Sequence, residues 1–286
     1  MTTTRAATRI ALDNILYLTD FSKCSGVAFP FAIAMARNYG ATVHVLHVLT
    51  PAIPKACGEA IHADEELANA EMLKISSQFA DVAHDTAVVR GVALWPALEP
   101  VISRHHIDLI VLGTRGRTGF QKLLLGSVAE EILRRSTVPV LTIGPDIQRS
   151  ASADGHLRSI LFATDFSASS LSAAPFAISL AEENRAELVL LNVLPQSDMT
   201  HHAVALARLY DLLPGNARMQ CEPFAVVRYG EAADCILETA AERLVDVIVL
   251  GVRGAGSHLG AATHFEHAMA HKVVAHARCP VLSVRA

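Results

Sequence analysis

Short apolar runs alternate along this chain with longer segments of helical spacing. In the first half the runs fall at 14–18, 42–49, 86–90, 107–112 and 138–143. Most are continuous rather than alternating, the pattern of strands covered by helices on both faces. Between them, segments near 25–38, 60–83, 95–105 and 127–136 carry apolar residues three and four apart, as at Phe29, Ile33 and Ala36. That spacing lines up one face of a helix. Strand–helix alternation predicts a parallel, doubly wound α/β sheet. In such sheets ligands bind beyond the carboxyl ends of the strands, near the switch in strand order. Thr19-Asp20, Val48 and Gly113 onward therefore share one rim, where a site is expected.

The pattern is written twice. Ile15-Leu16-Tyr17-Leu18-Thr19-Asp20-Phe21-Ser22 returns as Ile160-Leu161-Phe162-Ala163-Thr164-Asp165-Phe166-Ser167. Pro30-Phe31-Ala32-Ile33 returns at Pro175, and the run from Val43 to Leu49 returns from Leu188 to Leu194. Asp108 to Gly116 returns as Asp246 to Gly254, and Val138-Pro139-Val140-Leu141 as Cys279-Pro280-Val281-Leu282. Five blocks recurring in one order mark an internal duplication. The chain thus reads as a domain over 1–145, a polar linker over 146–156 and a second domain over 157–286. Each is expected to be a five-stranded parallel sheet flanked by helices.

The candidate chemistry lies after the fourth strand, in the loop from Gly113 through Gly116 and Gly119 to Gly126-Ser127. Glycines there permit positive φ and a close approach of backbone to ligand. Ser127 opens a helix with Glu130 and Glu131 early and Arg134 and Arg135 late, as the macrodipole favours. A glycine loop leading into free helix N–H groups suits phosphate, and Arg115, Arg117 and Lys122 add positive charge nearby. A plainer reading stands beside it. Ser127-Val128-Ala129-Glu130 also matches a capping box, the glycines also suit turns, and Asp20 also suits a cap on the first helix.

Gly-x-x-Gly, nine residues and then Gly-Ser, met here as Gly113, Gly116, Gly126 and Ser127, resembles the ATP-binding signature of the universal stress protein family. Leu18-Thr19-Asp20-Phe21-Ser22, His47-Val48 and Val138-Pro139-Val140 resemble the same family, and the likeness covers nearly the whole chain, twice. It implies two tandem Rossmann-like domains of the adenine nucleotide alpha hydrolase-like type, binding ATP or AMP, with Mg2+ as a companion ion. By that resemblance Leu18, Thr19, Asp20, Val48 and Leu112 line the adenine and ribose end. Gly113, Arg115, Gly116, Gly126, Ser127 and Val128 hold the phosphates. The implied role is a stress-response sensor or regulatory protein.

Other nucleotide chemistries lack their strings. No Gly-x-x-x-x-Gly-Lys-Ser/Thr occurs, and no Gly-x-Gly-x-x-Gly follows the first strand of either copy. No general base stands out in the loop, so at most slow ATP hydrolysis is expected. The second copy keeps Asp165, Gly251, Arg253 and Gly254, but where the signature needs Gly-Ser it has His264-Phe265. Thr263 to Glu266 matches a capping box, which starts that helix two residues nearer its Gly-x-x-Gly. Ala262 and Phe265 add bulk where phosphate needs free amides. One main nucleotide site is therefore expected, in the first copy.

Composition narrows the partners. A formal net charge of −4 offers no electrostatic reason to expect nucleic acid or an anionic membrane. No apolar run reaches a membrane-spanning length, and the opening residues lack the apolar stretch of a secretory signal. Cys24, Cys57, Cys221, Cys235 and Cys279 form no CxxC pair and read as reduced thiols in a cytoplasmic protein. Among 14 histidines, His264, His267 and His271 fall on one helical face, with His258 and His276 beside them. A zinc-binding stress protein is therefore the competing reading, against a solvent-facing polar stripe. Single-domain members of the family it resembles pair through the last strand; by that resemblance the short apolar edges Val138–Ile143 and Val281–Val284 are expected to pair within the chain and to leave scope for a homodimer.

Overall fold

The computed structural model describes residues 10–50, 58–115, 125–147, 156–214, 223–252 and 261–286. They divide into two compact units, residues 11–145, and residues 146–286 together with Ile10.

The first unit runs β1 (Asn14–Leu18), α1 (Lys23–Gly26), α2 (Phe29–Tyr39), β2 (Thr42–Leu49), α3 (Gly58–Ser76), β3 (His84–Arg90), α4 (Leu94–Arg104), β4 (Leu109–Gly113), α5 (Ser127–Arg135) and β5 (Val140–Ile143). Its strands lie in the order β3-β2-β1-β4-β5, with every neighbouring pair parallel. The continuous apolar runs explain the centre of this sheet: Ile15, Leu16, Ile110 and Val111 are fully buried. β3 is the edge strand, and Asp85, Thr86 and Ala87 are exposed.

Strands β1 and β2 span the residues expected of them. Strand β5 begins at Val140, two residues late, because Pro139 has no N–H for a ladder position. The helix expected over 25–38 is broken into α1 and α2. Pro30 lies in the first turn of α2, where its missing N–H costs nothing, but its ring excludes the carbonyl four residues earlier. Helix α3 stops at Ser76 rather than near 83. The chain leaves the helix and brings the Phe79 ring edge-on to Phe29 at 5.1 Å and onto His84 at 4.1 Å.

The second unit repeats the plan: β6 (Ser159–Ala163), α6 (Ala168–Leu171), α7 (Ala174–Asn184), β7 (Glu187–Leu194), α8 (His202–Asp211), β8 (Pro223–Tyr229), α9 (Ala232–Glu242), β9 (Val247–Val252), α10 (Ala261–His276) and β10 (Val281–Arg285). Its strands lie in the order β8-β7-β6-β9-β10, again parallel throughout. Of the described cysteines, Cys24, Cys235 and Cys279 are free thiols. Burial pushes the Cys279 thiol up to about 12. Among the described residues no helix is long and apolar enough to cross a membrane.

Tyr17 and Phe162 occupy equivalent places in the two cores. The Tyr17 hydroxyl is buried and donates to the Ser25 carbonyl at 3.0 Å. Burial pushes its pKa up to about 12. A tyrosine whose folded pKa exceeds its unfolded value stabilises the fold fully below about pH 10, and that contribution is lost as pH rises toward 12. Tyr17→Phe is expected to cost about 1 kcal/mol at pH 8, for the lost hydrogen bond. Its deficit relative to the parent should shrink at pH 11, read from urea midpoints at the two pH values. An equal deficit at both would contradict the buried, neutral hydroxyl.

Candidate functional site

The sequence Thr19-Asp20-Phe21-Ser22 folds into a tight loop by bonding to itself. Thr19 Oγ1 accepts the Phe21 N–H at 3.0 Å, and Asp20 Oδ1 accepts the Ser22 N–H at 3.0 Å. Ser22 Oγ then accepts the Ser25 N–H and caps α1. The cap on that helix is Ser22 and not Asp20, because Asp20 spends an oxygen on the turn before it. Phe21 sits at φ 62, a region that costs a bulky L-residue of order 1 kcal/mol or more. The hydrogen bonds on either side of it offset that strain. Its ring rests on His47 at 4.3 Å, and the buried His47 donates Nδ1–H to the Thr19 carbonyl at 2.7 Å.

β1 lies between β2 and β4, so the chain turns one way after β1 and the other way after β4. This is the switch point of the sheet. Leu18 pairs in register with Leu112, which places the loops after both strands side by side. The buried Thr114 follows β4, and its carbonyl accepts the Gly126 N–H at 2.8 Å. That bond seats the start of α5 beside the end of β4.

Gly126 is the N-cap of α5, with extended backbone at φ −66 and ψ 148, and no side chain caps the helix. The capping box is therefore not formed: Ser127 is already the first helical residue, and its side chain is exposed. The positive φ expected of the loop glycines is likewise absent at Gly113 and Gly126. Gly126 takes a backbone conformation open to any residue. The Gly126 carbonyl is taken by the Glu130 N–H. The amides of Ser127 and Val128 precede the first helical repeat and have no partner within the helix. Glu130 in the first turn and Arg134 and Arg135 in the last align with the helix dipole.

Of the residues expected at the site, Thr19, Asp20, Val48, Gly113, Arg115, Gly126, Ser127 and Val128 are brought to this rim. Gly116, like Arg117, Gly119 and Lys122, lies outside the described residues. Leu18 and Leu112 end their strands at this rim, but both are buried, 6% and 2% exposed. Gly113 has a packing duty: a β-carbon there would lie 2.6 Å from the Cys24 carbonyl oxygen and 3.1 Å from the Ser25 Cα. Sequence reasoning missed the Phe21–His47 ring contact and the Thr114 tie. Phe21 recurs as Phe166, but the recurrence does not mark the contact, since Asn192 stands in place of His47.

The second unit rebuilds the first loop but not the helix start. Thr164 Oγ1 accepts the Phe166 N–H at 2.9 Å and Asp165 Oδ1 the Ser167 N–H at 2.9 Å. Burial pushes the Asp165 carboxyl up, but hydrogen bonds from Ser167 and Ser170 outweigh it and hold it below the usual carboxylate range. Asn192 replaces His47 and makes the same bond, Nδ2–H to the Thr164 carbonyl at 2.7 Å. Here Phe166 lies under the Arg208 guanidinium, 3.9 Å from its ring centre.

Helix α10 begins at Ala261, so Thr263 stands inside it and the expected capping box is not its start. The helix opens ten residues past Gly251, whereas α5 opens fourteen past Gly113. The shortening is four residues and not two. Arg253, Gly254 and His258 lie outside the described residues, as do the side chains of Ala262, His264, Phe265 and His267. His271 is half-buried, and His276 donates Nδ1–H to the Lys272 carbonyl.

Two parallel sheets, each with its loops gathered at a β1/β4-type switch point, define a tandem Rossmann-like protein. The chain belongs to the universal stress protein family, whose model matches residues 11–144 and again 156–285. Over 141 residues it is 31% identical to universal stress protein MJ0531 of Methanocaldococcus jannaschii, covering 46% of this chain and 81% of that one. It is 28% identical over 146 residues to universal stress protein YxiE of Bacillus subtilis, covering 46% of this chain and 98% of that one. The fold matches the crystal structure of a universal stress protein from Archaeoglobus fulgidus DSM 4304, with a TM-score of 0.73, 23% identity and 96% of each chain covered.

The packing duty of Gly113 is testable. Gly113→Ala is expected to destabilise the protein by about 1–3 kcal/mol, the usual cost of an extra carbon in a closed space. The measurement is the shift in urea midpoint. An unchanged midpoint would contradict the close approach of α1 to β4.

Proposed function

We propose that the first unit binds an adenine nucleotide, ATP or AMP, and that the chain serves the stress response as a nucleotide-dependent regulator. The observation that carries this reading is the start of α5. Its amides at Ser127 and Val128 open onto the switch-point rim, its cap residue has no side chain, and Thr114 holds it against the end of β4. Free helix N–H groups with the positive end of the dipole behind them stabilise phosphate. The signature from Gly113 to Ser127 supports the same placement. On this reading Thr19, Asp20 and Val48, with the backbone of Leu18 and Leu112, line the adenine and ribose end. Arg115, Gly116, Gly126, Ser127 and Val128 hold the phosphates, and Gly113 supports them from behind. Mg2+ accompanies the triphosphate when ATP is the ligand.

The reading assigns one main site per chain. The second unit lacks Gly-Ser, its helix starts closer to β9, and Arg208 covers Phe166 at the loop after β6. Isothermal titration with ATP should give a stoichiometry near one per chain. Gly126→Val should weaken binding by about tenfold or more, or 1.4 kcal/mol, while the fold survives, because extended backbone at φ −66 accepts a branched residue. Gly254→Val should leave binding as it was. Undiminished affinity in a folded Gly126→Val variant, or two equivalent sites, would overturn the assignment.

A further inference from the structure

At the opposite edge of the first sheet, where its strands begin, three metal-ligating side chains converge from three elements. His44 is the third residue of β2 and pairs in register with Asp85, the second residue of β3. His105 is the C-cap of α4. His44 Nδ1 lies 2.8 Å from Asp85 Oδ2, and the His44 and His105 rings are centred 4.4 Å apart. One ligand atom from each of the three falls within 4.8 Å of the others. His44 is buried, His105 half-buried and Asp85 exposed.

We infer that His44, Asp85 and His105 form a binding site for a divalent transition metal of the Zn2+ class. Two imidazoles and one carboxylate suit Zn2+ and its neighbours and do not suit Mg2+ or Ca2+, which take oxygen ligands. The other His44 nitrogen, Nε2, lies 3.0 Å from Asn14 Oδ1. Donation of Nε2–H to that carbonyl oxygen fixes the ring and presents Nδ1 to Asp85. Metal-binding histidines are held in this way. A proton holds the carboxylate oxygen 2.8 Å from Nδ1 in the metal-free form, and a metal ion takes that proton's place between the two ligands. In a tetrahedral zinc site two ligand atoms sit about 3.4 Å apart, and the exposed Asp85 side chain is free to move the difference. Three protein ligands leave the fourth position to water.

The duplication supplies an internal control. The equivalent corner of the second unit holds Val189 paired with Phe224, and Arg243 as the C-cap of α9. There the Arg243 guanidinium lies 3.7 Å over the Phe224 ring and reaches Glu187. The same scaffold thus closes this corner with an apolar ring and a cation. Nothing in the fold itself requires two histidines and a carboxylate there. Val48 lies four residues beyond His44 on β2, about 13 Å along a strand, so the site is distinct from the nucleotide rim and does not rest on it.

The test is a titration of metal-free, untagged full-length protein with Zn2+ by calorimetry and with Co2+ by visible absorption. One site per chain with a ligand-field band of low coordination number is expected. Asp85→Asn and His105→Ala, both outside the buried core, should each weaken binding at least tenfold with unchanged circular dichroism. Three results would overturn the assignment. One is the absence of binding at micromolar Zn2+, and another is binding that both variants leave intact. The third is binding lost only on replacing His264, His267 and His271 with alanine.

Discussion

At the end of β4 the carbonyl oxygen of Cys24 lies only 2.6 Å from where any residue but glycine would carry its β-carbon. The rest of the rim follows from this close approach. With α1 against β4, the Tyr17 hydroxyl reaches the Ser25 carbonyl and the Thr19 and Ser25 hydroxyls meet at 3.2 Å. The loop after β1 packs beside them as a compact turn. Phe21 accepts a left-handed backbone in it, and Asp20 is set at the sheet's switch point. The second unit obeys the same constraint more tightly: a β-carbon on Gly251 would come 2.0 Å from the Ser169 carbonyl oxygen. The constraint therefore belongs to the fold and is common to both copies.

What differs between the copies is placed on top of that shared frame. In the first, Thr114 ties down a helix whose first turn has a glycine cap and exposed Ser127 and Val128. In the second, the connection to the next helix is four residues shorter, and an arginine from α8 covers the loop after β6. His47 and Asn192 make the same bond to the preceding carbonyl from different side chains, so that position is held for geometry. At the other edge of the sheet, His44, Asp85 and His105 stand where the second copy has Val189, Phe224 and Arg243. Duplication lets one frame carry different chemistry at equivalent points.

Much of the fold was legible because the buried strands are continuous apolar runs: β1 and β2 fall where hydrophobicity puts them. The break between α1 and α2 was also written, in Pro30, but periodicity alone runs through it. The position of the rim was legible where residues are local, as in Asp20 and the Gly126-Ser127 step. The local reading misjudged roles that depend on the third dimension. Ser127 matches a cap by spacing, yet the Thr114 tie makes Gly126 the cap. Gly113 matches the signature, and in the fold α1 also fills the space its side chain would take. The His44–Asp85–His105 group was not legible at all, since its members lie far apart in the chain on β2, β3 and the end of α4, and only the β2/β3 register joins them.

The central claim is that the start of α5, seated at the β1/β4 switch point, is where phosphate binds. Amide chemical shifts of isotope-labelled protein during an ATP titration test it most directly. The account predicts the largest shifts at Ser127 and Val128, with Thr19 and Asp20 following at the same ligand concentration and Thr164 to Ser170 nearly still. Shifts concentrated at Thr164 to Ser170, with Ser127 and Val128 unmoved, would contradict it.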